Sequence, residues 1–376
     1  MMEKTGKIIL FTSAMYPCKI GGMEIYNYHL VRELAKRKEA KHMTVLSSCP
    51  VAIDGMTILP EKERVFISRK FGLSTASTIL YYWFSNKFRW KDVKVVYVPY
   101  TSNFSFSAFP YLILKKLLNV DYVVHMHSGG GRDTNPRWLL NKFFKHARGI
   151  AGVSHPIVNE YKEKTGREIK YLPPLLPFEA SRKDKQSLRK AKGFDRFKKI
   201  ILYVGSIKQI KSPETLIKAY LELGENFVSN QGLGLILVGQ GRLLAQLENR
   251  YGKGKNIVFT GAVPNEEIKD YYRMADIYAI TSWFEGTPIS LMEAMFNKLP
   301  CIGSNVSGIQ DIITSGQNGY LFEKENHVEL SRVIKEVVIN EDDAIQKGEK
   351  AYQDYLRRFN YDDHLTDVIN FINGIE

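Results

Sequence analysis

IYAITSWFEGTPISLMEAMF, Ile277 to Phe296, passes from a short apolar run through a polar loop into an apolar helical pattern within 20 residues. That order is half of a βαβ unit. Thr287-Pro288 predicts an N-cap followed by a proline at the first helical position, with ISLMEAM supplying the buried face. Glu285 and Glu293 are eight positions apart and would not share a face of one continuous helix, so Glu285 belongs to the loop ahead of it and Glu293 to its second turn. The amides of Gly286, Thr287 and Ile289 would then face an anion, because the first helical N–H groups lack internal partners and the dipole favours negative charge. A diphosphate fits there, with ribose hydroxyls on Glu293 and those of an attached sugar on Glu285. The same two acids also fit a dipole-stabilising residue and a solvated one.

Working outward, β-branched runs alternate with helical patterns, the signature of parallel sheets covered on both faces. One set holds KIILFTS (7–13), MTVLSS (43–48), VKVVYVPY (93–100), YVVHMHS (122–128) and GIAGVS (149–154). A second holds KKIILYVGS (198–206), LGLILVGQG (233–241), NIVFTG (256–261), IYAIT (277–281) and LPCIGS (299–304). Between them FEASRKDKQSLRKAKGFDRFKK, without apolar periodicity, reads as a charged linker, and the boundary is expected within 178–197. The expected fold class is α/β with two doubly wound domains, 1–185 and 186–359, which suits 376 residues better than one core does.

Composition is that of a folded soluble protein, 44% hydrophobic and 25% charged. No apolar run reaches the roughly 18 to 20 residues of a spanning helix, and the first residues run into a strand pattern without a signal-peptide layout, so the chain is expected in the cytoplasm. Cys18, Cys49 and Cys301 form no metal-binding or redox spacing and read as small hydrophobes. Residues 1–200 hold 36 Lys+Arg against 16 Asp+Glu, whereas 201–376 hold 17 against 24. An anionic partner is therefore expected on the amino-terminal half.

Ligands of open α/β sheets bind beyond the carboxyl ends of the strands. The first strand leads to Gly21-Gly22 ahead of a helix, which fits backbone presented to a phosphate or sugar and equally an ordinary glycine turn. The fourth ends in VVHMHSGGGRD, where His125 and His127 point to one face and His127 stands nearer the carboxyl end. Neither has a zinc-ligand spacing, and a hydrogen-bonded structural role fits each as well. In the second domain LYVGSIKQIKSPETLIKAY places Gly205 at a strand end, Lys208 and Lys211 in the loop, and Ser212-Pro213 at a helix start. Two lysines ahead of a helix N-terminus make an anion site; solvated loop lysines are the alternative.

ADIYAITSWFEGTPISLMEAMFNKLPCIGSNVSGIQDIITSGQNGYLF resembles the carboxyl-half signature of glycosyltransferase family 4, retaining nucleotide-sugar transferases of GT-B fold. Its Glu-x7-Glu, small-residue loop, Gly-Ile…Ile-Ile stretch and Asn-Gly turn occur in the family's order, and the likeness extends to the Gly21-Gly22 loop, the histidine at the fourth strand end, the Gly205–Lys211 loop and FTGAVP. The resemblance implies two Rossmann-like domains facing across a cleft, with a terminal helix, 360–376, crossing back to the first. It makes Lys211 the diphosphate lysine, Glu293 the ribose ligand and Glu285 the donor-sugar contact. Gly286, Thr287, Pro288 and Ile289 would lie near the phosphates, Val263 against the base, and His127 on the transferring sugar. His127, Glu285 and Lys211 are thus the expected catalytic group, and Gly21, Gly22, Gly205, Ser206 and Lys208 complete the donor site. In such enzymes the acceptor attacks the anomeric carbon from the face the nucleotide leaves, and a diphosphate oxygen takes the proton. No cofactor and no metal are implied, because Lys211 and the helix dipole offset the leaving charge. Two positions depart from the family: Ser206 stands where arginine is frequent, and LPPLLPFE replaces the usual Pro-Asn-Gly.

The expected activity is transfer of a hexose or N-acetylhexosamine, from UDP-sugar rather than GDP-sugar on family frequency, to a glycan or polyprenyl-linked acceptor of surface polysaccharide assembly. Residues 67–94 mix aromatics with Arg and Lys as an interfacial segment does, which points to peripheral contact with the inner face of an anionic membrane; an ordinary core helix with basic ends is the other reading. A nicotinamide-dependent oxidoreductase would need G-x-G-x-x-G after the first strand, which is absent. A nucleic-acid-binding protein would exploit the basic half, but aromatic-basic interleaving is confined to one segment, so no nucleic acid is expected.

Overall fold

The computed structural model describes residues 7–12, 22–37, 43–47, 52–54, 57–59, 90–100, 108–127, 136–252, 254 and 256–374. The chain divides into two compact units, 1–177 with 361–376, and 178–360.

The first unit carries a seven-stranded parallel sheet in the order β3-β2-β1-β4-β5-β6-β7. Its strands are β1 (Lys7–Thr12), β2 (Met43–Ser47), β3 (Thr57–Leu59), β4 (Val93–Tyr100), β5 (Asp121–Met126), β6 (Gly149–Gly152) and β7 (Lys170–Tyr171). Tyr122 on β5 stacks on Phe143 of the helix Arg137–His146 at 5.2 Å and donates its hydroxyl to the Phe143 carbonyl at 2.6 Å. The ring is buried without an orphaned polar atom. The terminal helix Tyr361–Asn373 belongs to this unit, where it buries Leu365, Val368, Phe371 and Ile372. Arg37 pairs with Asp362 at 2.9 Å, and Arg148 donates to the Ile372 carbonyl, near the two ends of that helix.

The second unit carries a six-stranded parallel sheet, β10-β9-β8-β11-β12-β13. Its strands are β8 (Lys199–Val204), β9 (Leu233–Val238), β10 (Ile257–Gly261), β11 (Ile277–Ile280), β12 (Cys301–Ser304) and β13 (Tyr320–Phe322). Residues 178–197 are not a solvated linker. They contain the helix Lys185–Ala191, capped by Asp184, and they lie wholly in the second unit. Arg189 is 2% exposed because its guanidinium donates to the carbonyls of Met274 and Lys198 and to the Asp276 carboxylate. Lys183 and Ser181 likewise reach Asp270.

This division redistributes the charge. The first unit holds 27 Lys+Arg against 17 Asp+Glu and the second 26 against 23, so the units carry +10 and +3 instead of the steep contrast between sequence halves. The basic segment 178–199 goes to the second unit and the acidic terminal helix to the first.

Cys301 is buried, which raises its thiol pKa, and Cys18 and Cys49 lie outside the described residues. Of the aromatic-basic segment 67–94, residues 67–89 lie outside them too; Trp90, which is described, is 6% exposed and part of the core. Among the described residues no helix is long and apolar enough to cross a membrane.

Candidate active site

In the second unit the chain runs from β8 outward through β9 and β10, then returns to β11 on the other side of β8 and continues outward to β12 and β13. β8 and β11 therefore flank the topological switch point, where connections leave in opposite directions and a crevice opens at the carboxyl edge. The two stretches singled out by sequence, Gly205–Lys211 and Glu285–Glu293, follow these two strands.

The loop after β8 is clamped by its neighbour after β9. Gly205 donates to the Val238 carbonyl at 3.0 Å and Ile207 to the Gln240 carbonyl at 2.8 Å. Gly239 has φ 141°, and a Cβ there would stand 1.9 Å from the Gly205 carbonyl oxygen. The sequence reading passed over this glycine, although a Gly-x-Gly at a strand end was its signal. Beyond the clamp Gln209–Lys211 form a 3-10 turn, and Ser212 and Pro213 start the next helix as expected. Ser206 is exposed; Lys208 is half-buried and has no ion pair among the described residues.

Lys211 and Glu285 meet across the switch point. The ammonium lies 2.6 Å from both carboxylate oxygens, Glu285 is only 7% exposed, and the Ser282 hydroxyl donates to the same carboxylate at 2.5 Å. Trp283 donates its amide to the Ile210 carbonyl at 2.8 Å, and the Thr281 hydroxyl donates to the Ser212 carbonyl at 2.8 Å, so the two loops are stitched together. A third loop, after β12, presses on them from Gly308. At φ 85°, its Cβ would lie 2.4 Å from the Glu285 carbonyl oxygen, so only glycine lets the backbones approach this closely. Desolvation takes back much of what the buried Lys211–Glu285 attraction gives, but either partner left alone is costly.

The following helix starts one residue later than expected. Pro288, at ψ 91°, is the N-cap and accepts the Leu291 and Met292 amides, so helical dihedrals begin at Ile289 and Thr287 is not the cap. The amides of Gly286, Ile289 and Ser290 have no acceptor among the described residues, which leaves an electropositive N-terminus beside the ion pair. Glu293 stands in the second turn, and Tyr272 donates its hydroxyl to it at 2.9 Å. Burial pushes the Glu293 carboxyl up to about 7, partly offset by that hydrogen bond. Val263 is half-buried at the end of β10, two strands from the β8 loop.

In the first unit Gly22 opens the helix Gly22–Ala35, and Gly21 lies outside the described residues. His125 and His127 share a face, their rings 4.4 Å apart, yet their environments differ. His125 is fully partnered: Nε2 donates to the Leu172 carbonyl at 2.7 Å, which leaves Nδ1 to accept from Tyr97 at 2.6 Å. His127 leans on Tyr26, and its buried Nε2 has no partner among the described residues. Burial, then His125 and His364, holds His127 well below the usual histidine pKa, so the ring is neutral and able to meet a hydroxyl. Tyr26, Tyr97 and His364 were not foreseen from sequence. They come from three other elements and converge only in the fold.

Among the described residues no group of three or more His, Cys, Asp and Glu is placed to hold a metal ion.

Comparison with known proteins gives these loops a context. Residues 184–354 match the family model of glycosyl transferases group 1. N-acetyl-alpha-D-glucosaminyl L-malate synthase of Bacillus anthracis is 22% identical over 92% of the chain and 91% of its own length. TuaC of Bacillus subtilis (strain 168), named for teichuronic acid biosynthesis, is 27% identical over 55% of the chain. The chain spans about half the length of that and several other curated relatives. Among solved structures, Anabaena Alr3699/HepE in complex with UDP-glucose superposes with TM-score 0.77 at 16% identity, over 98% of this chain and all of that one. The fold is that of GT-B glycosyltransferases, two Rossmann-like domains.

Proposed function

From its glycosyl transferases group 1 domain, residues 184–354, we propose that this chain moves a sugar from a nucleoside diphosphate sugar to a glycan acceptor, with retention and without a metal. The observation that carries the reading is the Lys211–Glu285 pair across the switch point, beside the open amides of Gly286, Ile289 and Ser290. Lys211 has three N–H donors and spends two on Glu285, so the third is available to a diphosphate oxygen. Lys208 and the helix N-terminus supply the remaining positive potential. Glu285 keeps lone pairs for the hydroxyls of the transferring sugar, and ionised Glu293 accepts from the ribose.

The step balances without another reactant. The bond from the anomeric carbon to the phosphate oxygen breaks, a bond to the acceptor oxygen forms on the same face, and the acceptor proton passes to the leaving diphosphate. Lys211 and the free amides stabilise the charge that develops there. The assignment of His127 to the transferring sugar follows the family resemblance and is supported by its unpartnered Nε2.

UDP is the preferred nucleotide, which accords with the UDP-glucose in the Anabaena neighbour. A lipid-linked glycan is the preferred acceptor. One relative that spans nearly the whole chain is named N-acetyl-alpha-D-glucosaminyl L-malate synthase, so a small hydroxy acid is the acceptor to test against it. A thermal-shift screen of UDP- and GDP-sugars, followed by a donor-hydrolysis assay, tests the activity. Binding by the parent, lost in both Lys211→Ala and Glu293→Ala, is the expected result; unchanged binding in both variants would place the pocket elsewhere.

A further inference from the structure

On the first unit, the helices Phe109–Leu118 and Arg137–His146 pack together on one side of the sheet, as the ring contacts among Tyr111, Tyr122 and Phe143 show. Their inner faces are ordinary core. Their outer faces are not. FPYLILKKLL and RWLLNKFFKH contain five Lys and Arg and no acid.

On the second helix Trp138, Lys142 and Lys145 follow one another at helical spacing along a single exposed stripe, with Trp138 55% exposed and the Lys142 ammonium 5.8 Å from its ring centroid. On the first, Phe109 is 48% and Leu117 64% exposed, with Lys116 exposed beside them. Lys116, Arg137, Lys142 and Lys145 have no ion pair among the described residues, whereas Lys115 is held by Asp121 at 2.6 Å. An indole, a phenyl ring and an aliphatic side chain held out in water among unpaired cations cost free energy unless something apolar and anionic covers them.

We propose that this two-helix face docks on an anionic phospholipid bilayer, with Trp138, Phe109 and Leu117 entering the headgroup and acyl boundary while Lys116, Arg137, Lys142 and Lys145 meet lipid phosphates. Indole prefers that boundary because one edge is apolar and the other carries a donor. Lysine stems lie along apolar surface and leave the ammonium at phosphate depth. A nucleic acid would also meet the cations, but it has no use for an exposed Leu117, so the bilayer fits the whole patch. The site uses no residue of 67–89 and none of the second unit.

The test is co-sedimentation of the full chain with phosphatidylglycerol/phosphatidylcholine vesicles and with pure phosphatidylcholine vesicles. The parent should bind only the anionic vesicles and be released by salt. Lys142→Glu combined with Lys145→Glu should weaken binding by at least about thirtyfold, since each cation near an anionic leaflet contributes roughly fivefold. Arg332→Glu, an exposed charge of the second unit, should leave it unchanged. A blue shift of tryptophan emission on adding vesicles should disappear in Trp138→Phe, and unchanged thermal melting of each variant separates lost docking from lost folding. Anionic-vesicle binding equal in parent and double variant would overturn the assignment of this face. Binding to duplex DNA that competes with vesicles and is abolished in the same variant would replace the bilayer by nucleic acid.

Discussion

The carboxyl edges of the two sheets solve opposite problems. In the second unit the edge carries full charges, Lys211 and Glu285, held against each other at 2.6 Å beside helix amides that have no acceptor among the described residues. In the first the edge beyond β5 carries neutral rings, with Tyr26 hydrogen-bonded to His364, Tyr97 hydrogen-bonded to His125, and His127 packed against Tyr26 and His125, the three histidines buried enough to reject a proton. One edge suits a polyanion and the other an uncharged hydroxyl. The contrast predicts that removal of one charge will be felt most in the second unit and acid most in the first.

Lys211→Ala should have the largest effect. It strands Glu285 in a site where that residue is 7% exposed, at a cost on the order of 3–5 kcal/mol. The second unit should melt earlier and donor binding should vanish. Lys211→Ala with Glu285→Ala should recover much of the melting temperature and none of the binding. A single variant as stable as the parent would mean that the pair does not hold the two loops together.

Gly308→Ala should follow, at about 3 kcal/mol, since it combines a left-handed φ of 85° with a methyl 2.4 Å from the Glu285 carbonyl oxygen. Its donor affinity should fall along with stability. A thermal melt and a donor titration on the same sample check both.

The pH responses should have opposite signs. Burial holds His125 at about 4 and His364 at about 3, below the ordinary 6.5, so their contribution to the first unit is complete above about pH 6.5 and lost as pH falls toward those values. For His125 alone the loss approaches about 3 kcal/mol. Glu293 is raised from 4.5 to about 7, so its contribution to the second unit is present at low pH and lost as pH rises through 7, by about 3 kcal/mol in full. Hydrogen exchange resolved by unit, at about pH 5 and about pH 7.5, should show the first unit less protected in acid, and Glu293→Gln should remove the opposing trend in the second. Donor affinity should fall below about pH 7 as the acceptor carboxylate protonates, and the same variant should flatten that profile. Equal shifts of both units in one direction would dissolve the contrast.

The sequence carried the sheet plan well for one physical reason: buried parallel strands must be apolar along their whole length, and each of the ten runs read as strands became one. β3, β7 and β13, of three, two and three residues, are too short to show a period. The helix Lys185–Ala191 escaped notice because its buried side is one leucine, Leu188, and an arginine whose carboxylate partner lies 87 residues away at Asp276. The acids of the Glu-x7-Glu pattern were legible, but the Lys211–Glu285 contact, 74 residues apart, was not, nor was the Tyr272 hydroxyl on Glu293. Local patterns mark which residues stand at strand ends. Which of them touch is decided by the order of strands, and no spacing encodes that order.

Ser206 offers the smallest and sharpest test of how the anion edge is charged. Where the family that the sequence resembles often carries arginine, this chain has an exposed serine, with a half-buried Lys208 two residues on that has no ion pair among the described residues. Ser206→Arg adds a planar donor group at the mouth of the β8 loop. It should tighten donor binding about threefold to tenfold, within the range of one ordinary hydrogen bond because the group is exposed. If Lys208 already fills that role, Lys208→Ala should weaken binding by a similar factor and Ser206→Arg should restore it in the Lys208→Ala background. Calorimetric titration of the four proteins with UDP gives a double-mutant cycle whose coupling energy is the measurement. UDP binding by Lys208→Ala equal to that of the parent would assign Lys208 to solvent and leave Lys211 and the helix amides to hold the diphosphate alone, whereas coupling near zero would mean that positions 206 and 208 act independently.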